Sequence, residues 1–431
     1  MRFAAEKLIC APPEIPLNAD MTLACLSVLL GLEYRGTGPG RQAESKQMER
    51  HLRICLDGSV EAMHTVPPSE PILAEGALLA LKGNYASALN SHFQGTYLRV
   101  LGCGEVIAAL LVIKARQEAV SVPVSLRVSA KLRETPPAAS SRRHPMLKEP
   151  VPNPNYRVLS LLDFLHALLH PADFETVCNS FPNRSRKGED KCFKHTFGNS
   201  WVYFNHCIKT NNFNLINQRS WLRAIPRGSI IVFANHQRGV DLIIPVTFEG
   251  TIFRPDNITA VLIQATTERI FTDVIGMPIL DLIDPVDMFL DSASPLPVVR
   301  MMFALGSPRP GVSVPAQATQ SASQSREEYD DFTAFDIWCA GCRDKTFKVI
   351  QADENETYQS LLDRTSDFAS VYCGATNPPG STAEQIKLNA GLTSARRAMY
   401  PGATSDAAHW RNYVDEPDDS EEDMDDMDVS A

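Results

Sequence analysis

The segment RGVDLIIPVTFEGTIFRPDNITAVLIQATTER, from Arg238 to Arg269, decides the fold. Two short apolar runs rich in β-branched residues, VDLIIPVTF and ITAVLIQATT, flank a stretch with glycine, proline and asparagine, which is the pattern of two β-strands. If the strands pair antiparallel, Asp241 at the start of the first run approaches Gln264 near the end of the second. Gln264 and Thr266 are two residues apart and therefore share one face of their strand.

The polar residues of this segment allow two interpretations. A buried Asp in an apolar segment needs a partner, so Asp241, Gln264 and Thr266 would converge as an acid, an amide and a hydroxyl at one end of a sheet. Alternatively, Asp241 caps a turn after the tripeptide QRG, and Gln264 satisfies a backbone group. The residues by themselves leave both interpretations open.

Four stretches carry a resemblance to known proteins: LGCGEVIAALLVIKARQ, VYFNHCIK, ANHQRGVDLIIPV and VLIQAT. Together they resemble a group of uncharacterised fungal proteins. The PD-(D/E)XK nucleases have an acid that opens one strand, a Glu or Gln two residues before a Lys on the next strand, and a glutamate on a preceding helix. GVDLIIPV and ITAVLIQAT resemble this pattern. The likeness covers residues 69–271. It implies an α/β (α+β) fold in which helices flank a restriction-endonuclease-like mixed sheet.

The resemblance implies a catalytic site of four residues. Glu105 matches the acid of the helix, Asp241 the central metal ligand and Gln264 the second ligand position, so these three would hold Mg²⁺. Thr266 stands where the family has its lysine. Mg²⁺-dependent phosphodiester hydrolysis needs hard oxygen ligands and a cation that stabilises the developing charge. Threonine supplies no charge, and the loss of such a preorganised group typically costs about 10²- to 10³-fold in rate.

We therefore expect a degenerate nuclease-fold protein that binds nucleic acid or a partner without efficient cleavage. One alternative is an active Mg²⁺-dependent phosphodiesterase with a relocated cation, for which Lys114, Lys348 and Arg269 are the candidates. The other is a non-catalytic protein-interaction protein in which Asp241 and Gln264 are structural. DNA, RNA or basic proteins are the expected partners, and the sequence leaves open whether the chain is an enzyme.

Basic residues are the expected contacts to nucleic acid. Arg184, Arg186 and Lys187 lie in the loop NRSRKGEDK, and Arg238 opens the deciding segment. The chain has 41 basic and 51 acidic residues, but ten of the acidic ones lie in the tail DEPDDSEEDMDDMDVSA. The rest of the chain is formally neutral, which argues against a strongly basic nucleic-acid binder and leaves room for a local basic groove.

Two further features of the composition are candidates for function. The acidic tail is expected to be disordered, because its carboxylates repel one another and lack apolar partners, and it either keeps the chain in solution or attracts basic proteins. The motifs CAGC at Cys339 to Cys342 and CFKH at Cys192 to His195 have the spacing of zinc half-sites. The sequence does not decide between zinc and buried or loop thiols.

Changes in composition divide the chain into five segments. We expect an amino-terminal helical region at 1–94, a restriction-endonuclease-like core at 95–306 with an exposed insertion at 134–155, a disordered linker at 307–331, strands and helices that complete the core at 332–414, and the acidic disordered tail at 415–431.

Capping residues and hydrophobic periodicity predict the individual elements. Helices are expected in LNADMTLACLSVLLGLEYRG, SEPILAEGALLALKGNY, GCGEVIAALLVIKARQEAV, YRVLSLLDFLHALLHPADFETVCNSF, TYQSLLDRTSDFASVY and TAEQIKLNAGLTSARRAMY. Further strands are expected in VSVPVSLRVSAKL, GSIIVFAN, FTAFDIWCAGC and TFKVIQ, and GTGPGRQAESK is expected to be a loop.

The sequence also bears on the compartment. No apolar secretory segment opens the chain, and runs such as VIAALLVI fall far short of the ~20 residues that span a bilayer. We therefore expect an intracellular protein, cytoplasmic or nuclear, that is not secreted and does not contact a membrane.

Overall fold

The computed structural model describes most of the chain in separate ranges. These are residues 1–34, 38–58, 63–93, 98, 103–129, 158–186, 191–210, 216–233, 239–248, 254–267, 280, 283–290, 295–315 and 332–363. The predicted insertion at 134–155, the helix TAEQIKLNAGLTSARRAMY and the acidic tail lie outside these ranges, as does most of the predicted linker.

Helices and strands are both abundant, so the chain is an α+β protein. The helices are α1 (Arg2–Ile9), α2 (Ala19–Leu30), α3 (Gly38–Arg50), α4 (Pro71–Leu81), α5 (Tyr85–Phe93), α6 (Cys103–Ser121), α7 (Leu161–Leu168), α8 (Pro171–Asn179), α9 (Phe193–Phe197) and α10 (Gln218–Arg227). Residues 355–363 are also helical. The strands are β1 (Ile54–Gly58), β2 (Met63–Val66), β3 (Leu159–Ser160), β4 (Ser200–Val202), β5 (His206–Thr210), β6 (Ser229–Phe233), β7 (Leu242–Phe248), β8 (Ile258–Thr266), β9 (Val298–Ala304), β10 (Gly311–Ser313) and β11 (Ala334–Ala340).

The strands form a nine-stranded mixed sheet beside the small β1–β2 hairpin. The order of the main path is β10-β11-β9-β8-β7-β4-β3, and β6 also pairs with β7 and carries β5. Pairs β5–β6, β8–β9 and β9–β11 are parallel, whereas β6–β7 and β7–β8 are antiparallel. The carboxyl ends of β5, β6, β8, β9 and β11 therefore meet at one edge, which we call the site edge. The expected mixed sheet is confirmed.

The antiparallel pair predicted from the deciding segment is present. Leu242 lies opposite Ile263 and Val246 opposite Thr259, so the start of β7 meets the end of β8 at the site edge. This register places Asp241, which precedes β7, beside the last residues of β8. The sequence interpretation of this segment as two paired strands is confirmed.

Helices cover the sheet on both faces, and alternate residues of each strand enter two different cores. Ile244 and Ile263 belong to the larger core, which α2 and α4 to α7 help to build. Ile243 and Leu262 belong to the smaller core, which includes Trp221 of α10. Full burial of one such aliphatic side chain contributes about 1.5–3 kcal/mol, so the two cores hold the strand ends firmly in place.

The amino-terminal helices share the larger core with the sheet. Asn18 caps α2 by accepting a hydrogen bond from the Met21 N–H at 2.9 Å, as its sequence predicts. Helices α1 and α4 approach so closely that a Cβ added at Gly76 would lie 2.7 Å from the backbone nitrogen of Ala5. Only glycine permits this approach, which packs the helical region onto the core.

Several predicted elements differ from the structure. The segment VSVPVSLRVSAKL contains the short 3₁₀ helix Val124–Leu126 instead of a strand, and the Arg127 guanidinium bonds to the carbonyl oxygens of Val120 and Val122. TFKVIQ forms turns instead of a strand. The Phe347 side chain packs against Phe303, so its apolar character reflects burial in the core and not strand pairing.

The structure also has elements that the sequence interpretation missed. Most of GTGPGRQAESK belongs to α3, and the predicted helix before Phe181 is divided into α7 and α8 at Pro171. Strand β9 escaped notice because Arg300 interrupts its apolar run VVRMMFA. Among the described helices, none is long and apolar enough to cross a membrane.

Candidate functional site

Glu105 lies in the first turn of α6, and that turn packs against the end of β8. A Cβ added at Gly104 would lie 3.3 Å from the Cγ2 atom of Thr267 and 3.7 Å from the carbonyl oxygen of Ala265. The small glycine thus lets the helix begin directly on the strand. This contact carries Glu105 to the site edge, and the side chain is buried there at 8 % exposure.

Asp241 lies in a bend directly before β7 and is held by three hydrogen bonds. Its N–H donates to the Ile263 carbonyl at 2.8 Å, its carbonyl accepts from the Phe233 N–H at 2.9 Å, and its Oδ2 accepts from the Ala265 N–H at 2.6 Å. Leu242 is also opposite Ile263, so two successive residues face one partner. The strict alternation of β7 therefore does not extend to Asp241, whose carboxylate folds onto the backbone of β8.

The two carboxyl groups form a buried acidic pair. Burial raises the pKa of Glu105 well above its usual range, and the charge of Asp241 raises it further. Burial also raises the pKa of Asp241 to about 7, against the opposing effect of the Ala265 N–H. Two negative charges in this place would repel each other in a poorly solvated environment. Both shifts favour a protonated form of the pair over the doubly charged form.

Gln264 and Thr266 do not join this pair in the way the sequence suggested. Ile263 and Ala265 pack with the larger core on the α6 side, whereas Leu262 packs in the smaller core. By alternation, Gln264 and Thr266 lie on the face opposite α6. The Gln264 Oε1 atom is buried and has no hydrogen-bond partner among the described residues. The predicted shared face of Gln264 and Thr266 is present, but Glu105 and Asp241 meet without them.

Lys209 is the cation whose charge acts on the pKa of Glu105, and the sequence interpretation missed it. Its charge lowers the pKa of Glu105, while its Nζ atom forms an ion pair with Glu33 at 3.1 Å. It lies near the end of β5, opposite Val232 of β6, and so reaches the site edge. The sequence offered one signal for Lys209, a charged residue near the end of the apolar strand HCIKT. Asp241 was noticed for the same reason, because it is a charged residue at the start of an apolar strand.

The candidates for a relocated cation are placed elsewhere. Lys114 forms an ion pair with Glu354, and it lies nine positions after Glu105 in α6, which is about 13 Å along the axis. The Lys348 Nζ atom donates to the His166 carbonyl at 3.2 Å. Arg269 lies outside the described residues. Neither described lysine therefore takes the role of the missing motif lysine.

The donor set fits a resident Mg²⁺ poorly. Mg²⁺ requires near-octahedral oxygen ligands and charged carboxylates. Here Oδ2 of Asp241 already accepts a backbone N–H, the pair favours a protonated form, and Gln264 projects from the other face. In the part of the chain that the structure describes, no group of three or more His, Cys, Asp or Glu side chains is arranged to hold a metal.

The predicted nucleic-acid contacts lie away from the acidic pair. Arg184 bonds through its backbone to Ala334, the first residue of β11, and stacks on Phe332 with its Cζ atom 4.1 Å from the ring centre. The Arg186 N–H donates to the Thr333 hydroxyl. Both arginines therefore lie at the edge opposite the site edge, about 20 Å away along β11. Lys187 and Arg238 fall outside the described residues.

The cysteine motifs differ in their surroundings. Cys339 and Cys342 are buried in the larger core, and burial raises the pKa of both thiols far above the usual range. Thiols in such surroundings stay protonated and pack as small apolar groups. Cys192 lies 2.9 Å from the Nδ1 atom of His195 in the other motif. The two motifs do not form one metal centre in the described structure.

The geometry thus provides two buried acids, one paired lysine and an unsatisfied amide oxygen at the end of a mixed sheet. Two acids with raised pKa values can take up and release protons, and a nearby cation would favour their charged forms. Comparison with protein-family models, with curated proteins and with solved structures gave no match.

Proposed function

We propose that this chain is a degenerate nuclease-fold protein that binds nucleic acid without cleaving it efficiently. The observation that carries the proposal is the meeting of Glu105 and Asp241 at the site edge, since one acid comes from a helix start and the other from the start of a strand. That combination agrees with the PD-(D/E)XK resemblance. Buried acids with raised pKa values are a frequent feature of functional sites.

Loss of cleavage follows from what surrounds the two acids. Thr266 brings no positive charge, and Gln264 lies on the other face of β8. The carboxyl groups favour a protonated state, which weakens any hold on a divalent cation. Without the metal and the cation, the charge that develops on a phosphate in the transition state has no counterpart.

Binding without cleavage also agrees with the position of the basic residues. A phosphate backbone held by Arg184 and Arg186 would lie about 20 Å from the acidic pair, because a seven-residue strand separates the two edges. Phosphate contacts of this kind supply affinity and no sequence preference. We therefore expect weak, salt-dependent binding of DNA or RNA.

An active nuclease is the second candidate, and Lys209 is the observation that favours it. Its charge acts on Glu105, so it could replace the motif lysine from a neighbouring strand. Its ion pair with Glu33 argues against this role, because that contact engages the ammonium group. Glu33→Gln would release Lys209 and is therefore the variant that reveals any hidden activity.

Cleavage of single- and double-stranded DNA and RNA with Mg²⁺ or Mn²⁺ tests both candidates. We expect no cleavage by the parent or by Asp241→Ala. Cleavage by the parent that disappears in both Asp241→Ala and Lys209→Met would establish the active alternative. Activity gained in Thr266→Lys would instead show that this face of β8 does reach the acidic pair and that the scaffold lacks only the lysine.

Fluorescence anisotropy with the same oligonucleotides tests binding. The logarithm of the affinity should fall linearly with the logarithm of the salt concentration, with a slope of about −0.9 for each neutralised phosphate of a duplex. Arg186→Gln should reduce that slope by about 1, whereas Arg219→Gln, an exposed arginine of α10, is the charge-matched control. Absence of binding would favour an interaction protein whose acidic tail attracts basic proteins.

A further inference from the structure

Ser69 forms a hydrogen-bonded pair with a buried histidine. Ser69 lies between β2 and α4, and its Oγ atom is 2.8 Å from the Nε2 atom of His206, the first residue of β5. His206 is 1 % exposed, whereas Ser69 is partly open to solvent. A half-exposed hydroxyl in contact with a buried base is one part of the arrangement that nucleophilic enzymes use.

The other ring nitrogen of His206 has a fixed partner. Its Nδ1 atom is 2.8 Å from Oδ1 of Asn205, and the Asn205 Nδ2 group donates to Glu75 at 3.1 Å and to the Pro71 carbonyl at 2.9 Å. Since both acceptors claim the NH₂ end of the amide, Oδ1 must face the ring and accept from Nδ1–H. Nε2 is then unprotonated and accepts the Ser69 hydroxyl proton.

A buried ion pair anchors this chain of hydrogen bonds. Arg116 of α6 donates to Glu75 of α4 at 2.5 Å, and the two side chains are 0 % and 3 % exposed. The salt bridge holds the Glu75 side chain in place, so Asn205 keeps its orientation. The fold thus brings a serine from the segment before α4 to a base and an orienting amide that are neighbours at the start of β5.

We propose that Ser69 is a nucleophile that accepts an acyl group from an ester, with His206 as its general base and Asn205 and Glu75 as positioning residues. This activity is independent of the acidic pair at the site edge. Burial, and next the charge of Arg227, lower the pKa of His206 to about 4, so the ring is neutral at neutral pH. A base with this pKa is weak, and we therefore expect acyl transfer to be slow.

The surroundings of Ser69 suit an uncharged ester. Helix α4 begins two residues later at Pro71, and the N–H groups of Ile72 and Leu73 in its first turn have no acceptor within the helix. Such amides stabilise an oxyanion. Val66 and Ile72 are exposed at 37 % and 61 %, and they offer apolar contact to a short acyl chain.

The step conserves atoms and charge. The Ser69 Oγ atom bonds to the ester carbonyl carbon as its proton moves to Nε2 of His206, and the carbonyl electron pair moves onto the oxygen. Collapse of this intermediate breaks the bond to the alcohol, which leaves with the proton from Nε2. Water then repeats the sequence on the acyl-serine and releases the carboxylic acid.

Reaction with p-nitrophenyl butyrate tests the proposal on the full chain. We expect nitrophenolate release and one butyryl group on the Ser69 peptide by mass spectrometry. Ser69→Ala should lose that adduct, and His206→Gln should slow its formation about 10²-fold or more. Ser91→Ala is the matched control, because this serine of α5 bonds only locally, to the Ala88 carbonyl, and should leave the reaction unchanged.

A second variant keeps the proposal testable if His206→Gln fails to fold. Ser69→Cys places a thiol against the same base, so iodoacetamide should alkylate it faster than the thiol of Ser91→Cys by about 10-fold or more, in keeping with activation by a histidine. An unmodified Ser69 in the folded parent, or equal alkylation rates for the two cysteine variants, would overturn the proposal and leave the hydrogen bonds a structural role.

Discussion

Arg300 with Asp336 and Glu105 with Asp241 are two buried ionisable pairs that differ in the sign of their charges. Arg300 and Asp336 are 1 % and 2 % exposed, and two hydrogen bonds of 2.7 Å join the guanidinium to both carboxylate oxygens. Glu105 and Asp241 are 8 % and 9 % exposed, and both are acids. Opposite charges satisfy each other inside the protein, whereas like charges need a proton or an external cation. We therefore interpret the buried Arg300–Asp336 pair as structural and the buried Glu105–Asp241 pair as a candidate functional site.

Breaking the Arg300–Asp336 pair should have the largest effect on stability. Arg300→Met would leave Asp336 buried, and among the described residues its remaining side-chain donor would be the Asn183 amide, at 2.9 Å. Removal of one partner from a buried ion pair costs about 3–5 kcal/mol. The free energy of unfolding, measured in urea at pH 7, should fall by that amount.

The double variant Arg300→Met/Asp336→Leu is the control for this prediction. Because it removes both charges, it should regain most of the lost stability. A single variant that loses less than about 1 kcal/mol would show that water reaches Asp336, and the contrast between the two pairs would then be wrong.

Removing a charge from the acidic pair should act in the opposite direction. Asp241→Asn keeps an oxygen that can accept from the Ala265 N–H and abolishes repulsion with Glu105. The pKa of Asp241 is raised from 3.8 to about 7, and each unit corresponds to about 1.4 kcal/mol. We expect the variant to be more stable than the parent at pH 8 by up to about 4 kcal/mol.

The gain should depend on pH with a defined sign. Between the unfolded pKa of 3.8 and the folded pKa of about 7, the folded parent binds more protons at Asp241 than the unfolded chain does. The contribution of Asp241 to stability therefore falls as pH rises through this window. Urea unfolding of parent and variant should give equal stability near pH 4 and a growing difference up to pH 8. A constant difference would assign the effect to packing.

The sequence revealed Asp241 better than Glu105, and it revealed neither member of the Arg300–Asp336 pair. Asp241 stands out because it opens an apolar strand, and the antiparallel partner of that strand is its neighbour in sequence. The meeting with Glu105 could not be derived from spacing alone, since it depends on how α6 packs across the strand end at Gly104. The PD-(D/E)XK resemblance suggested that Glu105 lies near Asp241, and the packing of α6 on the end of β8 at Gly104 explains how.

Arg300 shows why some of the fold could not be predicted. An arginine inside VVRMMFA suggests a solvent-exposed turn, yet parallel pairing places it opposite Asp336 of β11, a strand beyond the long segment at 307–331. A charge on a buried strand can be interpreted only with its partner. Lys209 was missed although it stands in the apolar strand HCIKT, because its effect on Glu105 arises through neighbouring strands.

Lys209→Met should have a smaller effect on the acidic pair. The lysine and Glu33 side chains are 23 % and 31 % exposed, so solvent screens their ion pair and its loss should cost about 0.2–1 kcal/mol. Lys209 also lowers the pKa of Glu105, so the loss should be greater at pH 8 than at pH 5. Urea unfolding at both pH values measures this, with Arg2→Met, at an exposed ion pair, as the control. Equal losses at both values would separate Lys209 from the acidic pair.

Divalent cations should have the smallest effect, although they are the natural remedy for two adjacent carboxylates. A ligand at a hundred times its dissociation constant stabilises the folded state by about 2.7 kcal/mol. Because the pair favours a protonated form and no third ligand joins it among the described residues, we expect less than about 0.5 kcal/mol from Mg²⁺ or Mn²⁺ in thermal unfolding at pH 7. Stabilisation that appears in the parent, grows towards pH 8 and disappears in Asp241→Asn would show that the pair does hold a metal. A bound cation would then neutralise Glu105 and Asp241 as Arg300 neutralises Asp336. The active nuclease would become the better proposal.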